Sequence, residues 1–182
     1  MIKKLNINRD RNYHQKGMTF LELMVSMFIL IVGIGGAMGL IHNTISAATM
    51  SRSRLKAVYL AQEGVELIRN IRDSNIIVGQ NWLHNIPTLC ECCKISFDHS
   101  IGQLIGQCDG GVPQRLRDFN GFYAHSTDPA AQDTAFTRQI RLSTYHLGTD
   151  NEYLQVEVIV SWVHQGESSS VVVVSHLYNW RQ

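Results

Sequence analysis

The first readable pattern in the chain is an uncharged apolar run, Leu23 to Ile41, 19 residues long. As a helix it spans about 28 Å, close to the hydrocarbon thickness of a bilayer. After Ile41 the chain turns polar, but the helical period persists. Leu55, Val58, Ala61, Val65, Ile68 and Ile71 recur at steps of three and four, which predicts one apolar face. Arg52, Arg54, Lys56, Glu63, Glu66, Arg69 and Arg72 mark its solvated side, with Glu66 and Arg69 at ion-pair spacing. Asp73-Ser74-Asn75 is the expected stop. A continuous helix from Met18 to Asp73 would reach about 84 Å, of which lipid can cover only about 30 Å. The second half must lay its apolar stripe on the C-terminal domain.

Residues 76–135 lack strong periodicity and are punctuated by Pro87, Gly102, Gly106, Gly110, Gly111, Pro113, Gly121 and Pro129, which predicts a loop-rich region with an Asn120-Gly121 turn. Residues 136–180 carry the clearest strand signal. Phe136, Ile140 and Leu142 share a face that Arg138 interrupts. From Tyr153 to His164 the chain alternates: Leu154, Val156, Val158, Val160 and Trp162 on one face, Gln155, Glu157 and Ser161 on the other. Gln165-Gly166-Glu167 is a turn, and Val171 to Tyr178 forms the return strand. A long helix followed by an antiparallel meander is an α+β fold.

Composition adds topology. Residues 1–17 carry Lys3, Lys4, Arg9, Arg11 and Lys16 against Asp10, a net +4 in a chain of net +1. A basic flank ahead of an apolar run stays in the cytoplasm, and the remainder goes outside it. The asymmetry therefore describes orientation in a membrane and is not a nucleic-acid signal; whether the head meets nucleic acid is left open. The expected organisation is 1–17 leader, 18–42 membrane half of the helix, 43–75 amphipathic half, and 76–182 head, divided at residue 135. Gly33, Gly35, Gly36 and Gly39 crowd the apolar half, which suits close helix packing or local unwinding.

One acid breaks the pattern. Glu22 stands at the mouth of the apolar run, five residues after Gly17. A carboxylate near lipid is unfavourable and usually has a partner and a role. Gly17-Met18-Thr19-Phe20-Leu21-Glu22 resembles the cleavage and methylation signal of type IV prepilins and of type II secretion pseudopilins. The resemblance covers residues 16–41, and looser likenesses occur at Tyr59–Asn75 and at Tyr178-Asn179-Trp180. It implies a pilin-like fold, with the helix packed on an antiparallel head. It also implies cutting by a prepilin peptidase between Gly17 and Met18 and N-methylation of Met18. Glu22, with Thr19 and Phe20 beside it, then serves assembly, pairing with the terminal amine of a neighbouring subunit. The implied partners are other pilin or pseudopilin subunits, the prepilin peptidase and the inner-membrane assembly machinery. The implied location is a single-pass membrane protein, then a periplasmic or extracellular filament. An irregular head and a first mature residue of Met18 favour a minor pilin; a secretion pseudopilin is the nearest alternative. Two readings from other classes compete: a secretory signal peptide cut at Ser46-Ala47-Ala48, and an unprocessed anchor carrying a binding domain.

All four cysteines, Cys90, Cys92, Cys93 and Cys108, fall in the head. An even number outside the cytoplasm suggests disulfides, with three pairings available and Cys108 expected to join Cys92 or Cys93. The competing chemistry is a metal set of these cysteines with His84 or His99, though only Cys90 and Cys93 show knuckle spacing. No metal or cofactor is expected. The eight histidines are scattered, and none has metalloprotease spacing. His164 and His176 lie on the two arms of the expected hairpin and could meet. Asp109-Gly110-Gly111 lacks the acidic spacing of a calcium loop. The chain is not expected to be an enzyme.

Overall fold

The computed structural model describes residues 19–98, 102–119, 121–125, 129–147 and 151–180. They form helix α1 (Phe20–Ile77) and strands β1 (Leu89–Asp98), β2 (Gly102–Gln107), β3 (Gln114–Phe119), β4 (Phe122–Ala124), β5 (Gln132–Leu147), β6 (Asn151–His164) and β7 (Glu167–Tyr178). The chain divides into two units, Met1–Ser46 and Ala47–Gln182. The first unit is the N-terminal part of α1; the second is the remainder of α1 and the sheet.

In the second unit the helix buries Ala57, Leu60, Ala61, Gly64, Val65, Ile68, Arg72, Asn75 and Ile76. This stripe is rotated from the expected one. Ala61, Val65 and Ile68 are shared, Leu55 is exposed, and Val58 and Ile71 flank the seam. Small residues decide the rotation: Gly64 lies so close to β6 that an added Cβ would come within 2.9 Å of Val158 Cγ1. A larger residue there would hold the helix off the sheet.

The helix also runs four residues past Asp73. It ends in a Schellman motif in which Gln80 N–H donates to Asn75 O at 2.9 Å and Gly79 N–H to Ile76 O at 3.1 Å. Gly79 takes φ +77°, which only glycine adopts at no steric cost. Asn75 is structural and not a stop: its Nδ2 donates to the carbonyls of His84 (2.7 Å) and Trp82 (3.3 Å), folding the next loop onto the helix end.

All seven strands join one sheet in which every pairing is antiparallel. β5 organises it. One of its edges pairs with β6 along its length, and β6 pairs with β7. Its other edge is divided: Ile140 to Ser143 pair with β1, and Gln132 to Arg138 pair with β3. The region read as loop-rich thus carries four strands. They were hard to see because β1 slips register between Cys90 and Cys93, and β3 offers a single buried apolar residue, Leu116.

The expected alternation in β6 is present: Leu154, Val156, Val158, Val160 and Trp162 all face the helix. Each such burial contributes about 1.5–3 kcal/mol. The β6–β7 hairpin turns through Gln165 (φ +52°) and Gly166 (φ +86°), the positive pair that a two-residue I′ turn needs.

Candidate functional site

Thr19 opens α1. Its carbonyl accepts the N–H of Leu23 at 3.2 Å, and its Oγ1 accepts the N–H of Glu22 at 3.3 Å. That makes Thr19 the N-cap and Glu22 the third helical residue, the spacing of a capping box. A carboxylate in the first turn also meets the positive end of the helix dipole, worth about 0.3–1 kcal/mol when exposed. Among the described residues no side chain pairs with Glu22, which is exposed.

Phe20 and Leu21 are exposed beside it, and so is every residue from Leu23 to Ile41. The helix is regular through Gly33, Gly35, Gly36 and Gly39, and a methyl group added at any of them would touch nothing. Both expectations for these glycines, close packing and unwinding, concern helices packed in an assembly, and in the single chain the space beside them is open. The segment is long and apolar enough to cross a membrane. Gly17 and Met18 lie outside the described residues.

Residues 12–38 match the family described as the prokaryotic N-terminal methylation motif. The chain carries a prepilin-type signal. This signal marks type IV pilins and pseudopilins, and the α+β architecture, a long N-terminal helix with an antiparallel sheet, is pilin-like. A helix of this length and composition behind the signal fits a single-pass membrane anchor. The match ends at residue 38, so the head is known by its fold. No significant match was found among curated proteins or solved structures.

In the head, the cysteines form two disulfides, Cys92–Cys108 and Cys90–Cys93, with Cα separations of 5.4 and 6.0 Å. The first is one of the two expected pairings, and closing its 16-residue separation constrains the unfolded chain by about 3 kcal/mol. With all four sulfurs bonded to each other, the alternative metal set loses its thiolates. His84 is exposed at the end of the helix, and His99 lies outside the described residues. His164 and His176 do not meet: Glu167 stands across from His164, and Gln155 from His176.

The sequence also hid a charge. Arg138, read as an interruption of a strand face, is 1 % exposed and points into the core from the same face as Phe136 and Ile140. Its guanidinium lies 3.6 Å from Glu63 and donates to Leu60 O at 3.3 Å, joining β5 to the helix. Burial raises the Glu63 carboxyl above its ordinary value, and Arg138 offsets this in part. Burial likewise lowers Arg138, with Glu63 opposing. The one signal in the sequence was its place at an even step between two inward residues, Phe136 and Ile140.

Arg72, expected on the solvated side, is buried and donates to Tyr178 O at 3.1 Å and to Asp73 at 2.8 Å. Asp73 in turn accepts from the Trp180 indole at 3.1 Å. The chain's closing residues are thereby tied to the end of α1. Burial would raise Asp73, but the bonds from Trp180 and Arg72 outweigh it and hold the carboxyl below its usual range.

Proposed function

We propose that this protein is a minor type IV pilin-like subunit and not an enzyme. A prepilin peptidase cuts its leader after Gly17, and the new N-terminus at Met18 is methylated. The observation that carries the reading is the register of Glu22, which lies inside the matching methylation motif as the fifth residue after that cut and heads a run of 19 uncharged apolar residues.

Before assembly, the apolar half of the helix sits in the membrane with the basic leader in the cytoplasm and the head outside. Cutting removes the +4 cluster and leaves an amine at Met18. In the filament the apolar face moves from lipid to neighbouring helices, and the open surface at Gly35 and Gly39 lets backbones approach. Glu22 has no partner in its own described chain, and an unpaired charge in such a setting is costly. The terminal amine of an adjacent subunit supplies the counter-charge, so the pair acts as a register device.

Glu22→Ala tests this. The variant should be processed normally yet enter sheared filaments about tenfold less than the wild type, the factor that a loss of about 1.4 kcal/mol per subunit gives. Immunoblots of membrane and filament fractions read both quantities. Equal incorporation of the variant would remove the register role.

A further inference from the structure

The solvent face of the sheet carries a row of aromatic side chains. On β6 the residues facing the helix are Leu154, Val156 and their even-numbered successors, so the odd-numbered residues face outward. Strand register then sets side chains in rows. Tyr145 on β5, Tyr153 on β6 and Tyr178 on β7 lie directly across from one another. Their ring centroids are 5.3 Å and 5.7 Å apart, and Tyr145 stacks on Tyr153. The next row is Ser143, Gln155 and His176, with the His176 ring edge-on to Tyr153 at 5.1 Å.

Cross-strand stacking steadies this end of the sheet and accounts for the half-buried Tyr153. It does not account for the outer two rings, which keep 44 % (Tyr145) and 49 % (Tyr178) of their surface open to water. We propose that the tyrosine row and the adjoining Ser143–Gln155–His176 row form a binding strip for a neutral polysaccharide. Tyrosine faces accept the apolar C–H side of a sugar ring, and hydroxyl, amide and imidazole groups alongside answer its hydroxyls.

Charge selects this ligand over a nucleic acid. Among the described residues, the lysine or arginine nearest the strip on this face is Arg141, in the next row. Its guanidinium is occupied by Glu157 at 3.3 Å and Glu91 at 3.9 Å. A polyanion gains most of its affinity by exchanging counterions for free lysines and arginines, which these rows do not offer. A neutral chain needs none. The proposal is independent of how the N-terminus is processed.

The test uses the full chain in lipid nanodiscs and calorimetric titration with laminarin, dextran and galactomannan, with oligothymidylate alongside. At least one polysaccharide should bind, with an affinity unchanged between low and high salt. Tyr145→Ser and Tyr178→Ser should each weaken it about tenfold, the loss expected for an aromatic anchor. Gln155→Ala, which removes no ring, should weaken it as well, and Tyr59→Ser on the exposed side of α1 should leave it unchanged. Far-UV circular dichroism establishes that each variant is folded. Failure of all three polysaccharides to bind, or full affinity in both tyrosine variants, overturns the proposal. So does binding confined to oligothymidylate that weakens with salt, which would make the strip a nucleic-acid surface.

Discussion

The two parts of α1 share a backbone conformation and differ in what their surfaces ask for. From Phe20 to Ile41 every side chain is exposed, nearly all are apolar, and no face is preferred. From Ala57 to Ile76 a narrow seam is buried, and it is made of Ala57, Ala61, Gly64, Arg72 and Asn75 as much as of leucine and isoleucine. A helix that is apolar all round is built for a surrounding medium of lipid or other helices. A helix with a seam of small and hydrogen-bonding residues is built for one partner, here the sheet. The first part is general and the second specific, and substitutions should respect that division.

The largest break comes at the buried charge. Arg138→Ala removes the aliphatic stem from a site 1 % exposed, opens a cavity beneath the helix and leaves Glu63 without its counter-ion. Unfolding of the head should become easier by about 3 kcal/mol. Arg138→Met fills the same space while half-open Glu63 turns to water, and its stability should fall within about 1 kcal/mol of wild type. Denaturant titration of the two variants checks both values.

Glycines give the next contrast. Gly64→Val drives a side chain into Val158 and should cost the head about 2 kcal/mol. Gly36→Val meets nothing within the chain and should leave the head's melting transition unchanged. If both variants melt alike, the seam does not depend on Gly64 as described. In filaments the order should reverse if, as proposed, the part that holds Gly36 meets other helices.

The smallest effect is one of pH. The Asp73 carboxyl is held below its usual range, so it contributes stability above the ordinary carboxylate range and loses it as pH falls through the folded value. Asp73→Asn should flatten the acid side of the stability profile while changing little near neutrality. Trp180 fluorescence during acid titration reads the same event, since the indole donates to this carboxylate.

Much of this division is legible in the sequence. The 19-residue run, the acid at its mouth, the alternation along β6 and the Gln165-Gly166 turn each follow a strong local rule, and each is found as expected. What escaped detection was made by tertiary pairing. Four strands lay in residues 89–124 because β5 supplies a long edge for short, weakly patterned segments to join. The helix seam was rotated because glycine and alanine count little in a hydrophobic period yet permit the closest approach. Arg72 was assigned to water, and Arg138 was read as a break in an apolar face, because charge alone does not reveal a carbonyl or carboxylate waiting across the core. In the N-terminal site the helix was expected from Met18 and the Thr19 cap went unread, although Thr19 and Glu22 stand at capping-box spacing, while the proposed partner of Glu22 belongs to another chain.

The most direct measurement is the mass of the mature N-terminal peptide, from protein recovered out of cells with an active prepilin peptidase. The account predicts a chain beginning at N-methylated Met18, with residues 1–17 gone. A chain still beginning at Met1, or one beginning at Thr49, would contradict it.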